Sequence, residues 1–354
     1  MIGGRGPILI TGGAGFIGSN LADRLAGDGH EVLVYDALSR PGVERNLAWL
    51  KQRHGGRVSH IAGDVRDEDE LVRAAQQASA VFHFAAQVAV TTSLVDPRED
   101  FDINVRGTIN LLDAVRVRSE PVPIIFASTN KVYGDLADIE FDTLHDRYEP
   151  KSFAARRGID ESRPLDFHTP YGCSKGAADQ YVLDYARSFG VPTAVFRMSC
   201  IYGQRQMGTE DQGWVAHFLI RALDDKAITI YGDGRQVRDI LDVGDAVNAY
   251  VAALENIDRV AGRAFNLGGG PANAISLLEL IDEMRAVTGR EIELSFEDWR
   301  KGDQRWFVAD TTAARSTLAL PKARGWRDGV ARLAEWLAGE RGLTLRAELA
   351  SAAQ

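Results

Sequence analysis

The chain has 354 residues, of which 45% are hydrophobic and 26% charged, enough for one large α/β domain or two unequal ones with an ample core. Its formal net charge of −9 excludes the basic surface that a nucleic-acid partner requires. Two cysteines, Cys173 and Cys200, are too few for a disulfide framework or a thiolate metal site, so neither is expected. The opening residues run into a first strand without a basic, apolar, cleavable leader, and no apolar run reaches the length of a membrane span; the expectation is a cytoplasmic protein with no membrane contact.

The run Pro7-Ile8-Leu9-Ile10 reads as a strand, and Thr11-Gly12-Gly13-Ala14-Gly15-Phe16-Ile17-Gly18 as a glycine turn opening a helix that ends near Ala26. Glycine at 12, 15 and 18 lets the backbone turn tightly, approach a pyrophosphate and bring helix against sheet. Unpaired N–H groups at the helix start then face the phosphates, with Phe16 and Ile17 beside them. The strand Glu31-Val32-Leu33-Val34-Tyr35 ends in Asp36, an acid placed to accept hydrogen bonds from the adenosine ribose, which favours NAD over NADP. Ser39 and Arg40 follow on the adenosine side, and Arg40 leaves some tolerance for NADP open.

Further strands are expected near 58–61, 80–84 and 123–127, with helices at 67–78 and 104–118. Alternating strands and helices imply a parallel, doubly wound sheet of Rossmann type. The segment 134–169 loses periodicity and mixes charges with Pro150 and Pro164, so it is read as a long excursion, the kind of loop that forms a lid or binding surface. Regularity resumes at Pro170 with a helix through about Ser188, then the strand Thr193-Ala194-Val195-Phe196-Arg197. Beyond Gly203, helices near 213–224, 244–255, 276–288 and 328–338 alternate with short strands, as in a smaller, discontinuous α/β lobe. The predicted division is 1–200 for a cofactor-binding domain, also receiving part of 235–270, and 201–345 mainly for a substrate lobe. The last dozen residues, rich in Ala, Glu and Arg, are expected as a loosely held helix.

Tyr171 and Lys175 are four apart on the helix after the excursion, so they share one face. A free tyrosine has a pKa of about 10, but a neighbouring ammonium and a positively charged nicotinamide both favour phenolate, which can remove a proton from a sugar hydroxyl as hydride leaves the same carbon. A third group comes from the end of the strand Ile124-Ile125-Phe126-Ala127, where Ser128 or Thr129 can share the hydrogen bond to that oxygen; each is equally readable as a capping hydroxyl.

With these groups together the chain resembles the extended short-chain dehydrogenase/reductase superfamily, the nucleotide-sugar epimerases and dehydratases, over nearly its whole length. The resemblance implies NAD as cofactor and a nucleotide-diphosphate sugar as substrate, with Thr129, Tyr171 and Lys175 catalytic. It implies that Asp64 and Val65 hold the adenine, that Phe84, Ala85 and Ala86 line the cofactor, and that Ala127, Met198 and Asn104 lie near it. On the substrate side it points to Gln87, Asn130, His168, Arg205, Gln212, Arg238 and Arg300, the arginines suiting diphosphate oxygens. Cys200 stands where many relatives have a diphosphate-binding asparagine. His168 and Asn130 are equally readable as packing or capping residues.

Dehydratases of this superfamily carry an Asp-Glu pair directly after the catalytic hydroxyl, where this chain has Asn130-Lys131. That difference leaves epimerisation, by hydride removal, turning of the planar ketone and hydride return. Three stretches, Ser128 to Gly134, Leu165 to Gly176 and Asp211 to Val215, are similar to the CDP-paratose (CDP-tyvelose) 2-epimerase group, implying inversion at C2. A 4-epimerase, a ketoreductase and a non-catalytic NAD sensor are the alternatives. Members of the superfamily associate through the helices carrying Asn104 and Tyr171, so a homodimer or homotetramer is expected.

Overall fold

The computed structural model describes residues 6–345, and the tail expected as a loosely held helix falls, past its first few residues, outside the described residues. Seven parallel strands form the central sheet: β1 (Ile8–Thr11), β2 (Val32–Tyr35), β3 (Val58–Ile61), β4 (Ala80–His83), β5 (Ile124–Thr129), β6 (Thr193–Met198) and β7 (Arg263–Leu267). Their order is β3-β2-β1-β4-β5-β6-β7, every neighbouring pair parallel. The order reverses at β1, so a crevice opens beyond the strand ends between β1 and β4.

Alternation along each strand builds two cores. Ile8, Ile10, Val32, Val34, Phe82, Ile125 and Phe196 face one side, meeting helices α1 (Phe16–Gly27), α2 (Val43–His54) and Val243–Glu255. Leu9, Leu33, Val81, Ile124, Phe126 and Val195 face the other, meeting α3 (Glu68–Gln77), α4 (Gly107–Arg116) and α5 (Thr169–Phe189). Both faces being covered explains why these strands read as continuous apolar runs. Helix α2, absent from the sequence reading, hides in a charged stretch because only Asn46, Leu47 and Leu50 are buried. A π-type turn, Asp102–Arg106, leads into α4.

A third core joins helices Trp214–Leu223, Leu277–Thr288 and Trp326–Gly339 through Phe218, Leu219, Leu280, Met284, Leu333 and Leu337. Strand Val237–Asp242 ties this lobe to the sheet end, pairing with Cys200–Tyr202, Ala274–Ser276 and Trp306–Phe307. The excursion holds a short hairpin, Phe141–Thr143 with Tyr148–Pro150, and sends Leu136 and Ile159 into a small core with Trp306 and Phe307. Among the described residues, no helix is long and apolar enough to cross a membrane.

Candidate functional site

A cleft of about 770 Å³ runs along the carboxyl ends of the sheet strands and under the second lobe, within the range of ligand-binding sites. At its first end, Gly12 has φ +68°, and a Cβ there would come within 2.7 Å of the Ala85 nitrogen. A Cβ on Gly18 would lie 2.4 Å from the Gly12 carbonyl oxygen, so turn and helix approach as closely as backbone allows. Helix α1 begins after Gly15 without a side-chain cap, leaving its first N–H groups to the cleft. Asp36 is held in place by Ala14 N–H donating to Oδ2 at 2.9 Å and Leu38 N–H donating to Oδ1 at 2.8 Å. Phe16, Ile17, Ser39, Arg40, Asp64, Val65, Phe84, Ala85, Ala86, Ala127 and Met198 line the same end.

The buried stripe of α5, with Ala178, Val182 and Tyr185 on the sheet, places Tyr171 and Lys175 over the end of β5. Ser128 donates to Asp179 Oδ2 at 2.7 Å, in a buried group with Arg197. Of the two candidate hydroxyls, Ser128 is thus claimed within the protein, while Thr129 lines the cleft together with Tyr171. Burial pushes Tyr171 up to about 12, an effect the Thr129 hydrogen bond partly offsets. Burial also lowers Lys175 to about 7, against the pull of Asp179 and Asp100. Its Nζ sits 4.1 Å from the centre of the Phe126 ring and makes no salt bridge among the described residues. Within the protein alone desolvation thus outweighs the ammonium's help to the phenolate. A glycine cradle that a Cβ would fill, an oriented carboxylate and a buried ammonium without an ionic partner together fit a dinucleotide.

At the other end, Arg238 donates to Asp303 Oδ1 at 2.6 Å, and Arg300 lies over the Tyr231 ring at 3.9 Å while pairing with Glu210. Arg205 stacks on Trp49 at 4.0 Å. Cys200 accepts from Trp214 Nε1 at 3.4 Å. Gln212 accepts from Arg40, so the two ends of the cleft lining touch. Thr129, Asn130, Cys200, Arg205, Gln212, Arg238 and Arg300 all line the cleft.

Three expected contacts stand away from it. Asn104 is buried behind the wall, its amide donating to Gln87 O at 3.1 Å and Ser174 Oγ at 3.0 Å and accepting from Gln87 N–H at 2.9 Å. Gln87 turns its own side chain onto Ala89. His168 points outward to Asp166, 3.0 Å away. Lys131 and Asp303 line the cleft too, and Tyr231 joins them although nothing in the sequence points to it. Asp303 follows Arg300 in the same loop, whereas the position of Tyr231 depends on a strand pairing that no local pattern displays.

The model for the NAD dependent epimerase/dehydratase family matches residues 8–268. The chain is 44% identical to the CDP-paratose 2-epimerase of Salmonella typhi, over 93% of this chain and 98% of that protein. It is similar to the solved UDP-glucose 4-epimerase of Thermotoga maritima with UDP-glucose, with a TM-score of 0.80 at 30% identity, covering 95% and 99% of the two chains. The UDP-glucose 4-epimerase of Thermus thermophilus, solved in complex with NAD, gives a TM-score of 0.78 at 28% identity, covering 94% and 99%.

Proposed function

The chain belongs to the NAD dependent epimerase/dehydratase family, and from that premise we propose that it inverts C2 of a CDP-linked hexose. It is an NAD-dependent nucleotide-sugar epimerase. The observation that carries the C2 reading is the 44% identity to a CDP-paratose 2-epimerase along almost the whole of both chains. The turn after Thr129 supports it by offering Asn130 and Lys131 in place of carboxylates. The carboxyl group beside that turn, Asp303, is no substitute: burial pushes it up, but Arg238 and Lys131 outweigh burial and hold it below the usual range.

In this reading residues 1–200, with part of 235–270, hold NAD through Gly12, Gly15, Gly18, Asp36 and Lys175, and residues 201–345 mainly hold the nucleotide sugar. Bound NAD supplies the hydride acceptor and the positive nicotinamide charge that favours phenolate. Tyr171 takes the proton from the C2 hydroxyl as hydride leaves C2, and Thr129 keeps that oxygen in place. Tyr171 would give the proton back to that oxygen once the planar ketone has turned its other face. Arg238 and Arg300 hold the diphosphate during the turn. Purified protein is expected to carry NAD and to interconvert CDP-paratose and its C2 epimer without added cofactor, in a panel of CDP-, GDP-, UDP- and dTDP-hexoses read by NMR. Stoichiometric consumption of NADH would make it a ketoreductase, and inversion of a UDP-hexose at C4 a 4-epimerase.

A homodimer through α4, α5 and the turns before them is part of the proposal, with the cytoplasm as compartment. Phe101, Tyr181 and Phe189 are exposed on this side at 53%, 46% and 46%, apolar surface that a second copy would cover. Phe101→Glu combined with Tyr181→Glu is expected to halve the mass seen by light scattering. An unchanged mass would remove this face from the assembly.

A further inference from the structure

The loop Arg300–Gln304 carries the phosphate-holding end of the cleft and is fastened to the reacting end. Lys131 Nζ donates to Gly302 O at 3.1 Å and lies 3.6 Å from Asp303 Oδ1. Asn130 Nδ2 donates to Gln304 Oε1 at 3.1 Å, and Gln304 Nε2 donates to Gly134 O at 2.5 Å. Arg238 closes the loop from behind, donating to Gln304 O at 2.5 Å. Gly302, at φ +71°, sits so near Thr169 that a Cβ would come within 2.6 Å of its Cγ2. The loop is thereby pressed against both catalytic segments: the turn following Thr129 and the helix start preceding Tyr171.

This fastening fixes a length. A pyranose is a short, stiff spacer between its diphosphate and the carbon that reacts. C2 adjoins the anomeric carbon that bears the diphosphate, whereas C4 lies across the ring from it. With the diphosphate held by Arg300 on a loop seated against the catalytic turn, the near carbon meets Tyr171. The same loop standing farther off would bring the far carbon there instead. Asn130 and Lys131 make the side-chain contacts from the catalytic turn that set this separation.

We propose that Asn130 and Lys131 are positioning residues that select C2 over C4 as the reacting carbon, by docking the Arg300–Gln304 loop on the catalytic turn. The proposal rests on the C2-epimerase reading of the same site.

The test compares wild type, Lys131→Met, Lys131→Arg and Asn130→Ala on CDP-paratose. NMR reads the inverted carbon, and titration with CDP reads nucleotide affinity. Wild type and Lys131→Arg are expected to invert C2 alone. Lys131→Met and Asn130→Ala are expected to lose about 100-fold in kcat, the cost of an ångström-scale misplacement, with NAD content and CDP affinity kept and C4-inverted product appearing. Exclusive C2 inversion in both variants, at whatever rate, overturns the proposal. Should Lys131→Met fail to fold, Asn130→Ala decides it alone. Failure of the wild type to invert C2 sinks the epimerase reading and this inference with it, whereas C2 inversion by the wild type and both variants sinks only the inference.

Discussion

Tyr171→Phe is expected to lower kcat by about 1,000- to 10,000-fold, the upper part of the range for removing a general base, while the protein keeps its NAD. The phenol lines the cleft at the start of α5, half-buried beside Thr129, so losing one oxygen leaves the packing intact. Only the acceptor for the sugar hydroxyl proton disappears. The working form is the phenolate, and burial pushes the phenol up to about 12. Protonated tyrosine therefore accumulates as pH falls, and wild-type kcat/KM should drop on the acid side. The variant's residual rate should lack that limb. Single-turnover rates across a pH series, with NAD content measured on the same samples, check both parts. Near-normal turnover, or an acid limb that survives the substitution, would take Tyr171 out of the proton transfer.

How far such assignments can be read from a sequence depends on whether the constraint is local. Tyr171 and Lys175 are legible because helical geometry alone puts positions four apart on one face. The sheet is legible because Ile8 and Leu9 are both buried, one on each face, so its strands stand out as unbroken apolar runs. Helix α2 is not, since Leu47 and Leu50 are its only fully buried apolar side chains and much of its remaining face is charged. The choice between Ser128 and Thr129 is invisible in the sequence because Asp179, which claims Ser128, lies in another element. The same holds for Asn104 and Gln87. Resemblance brings them to the neighbourhood of the cofactor, but only folded coordinates show Asn104 holding the Gln87 backbone instead of facing the cleft. Lys131 and Asp303 illustrate it from the other side, since their pairing joins the catalytic turn to a loop from the second lobe.

Lys175→Met should show that a residue proposed for catalysis destabilises the fold that carries it. Lys175 is 3% exposed, and its ammonium rests on the Phe126 ring and is lowered by burial from 10.5 to about 7. Between those two values the unfolded chain binds a proton that the folded chain does not, so stability rises with pH across that window. Below pH 7 both states are charged and the desolvation cost is felt in full. Replacement by methionine, similar in length and uncharged, removes a cost on the order of a few kcal/mol, at about 1.4 kcal/mol per unit of pKa. Without added NAD, the variant should unfold at higher denaturant than wild type at pH 6, and the difference should shrink toward pH 10. Activity should move the opposite way, falling at least about 100-fold as the phenolate loses its cationic neighbour. Saturating NAD should restore the wild type's relative stability, because a ligand that binds the folded state in proportion to its affinity favours the chain with the intact site. Equal unfolding midpoints at pH 6 would mean that the ammonium is solvated after all, and with it would go the claim that Lys175 waits in the fold for an ionic or hydroxyl partner.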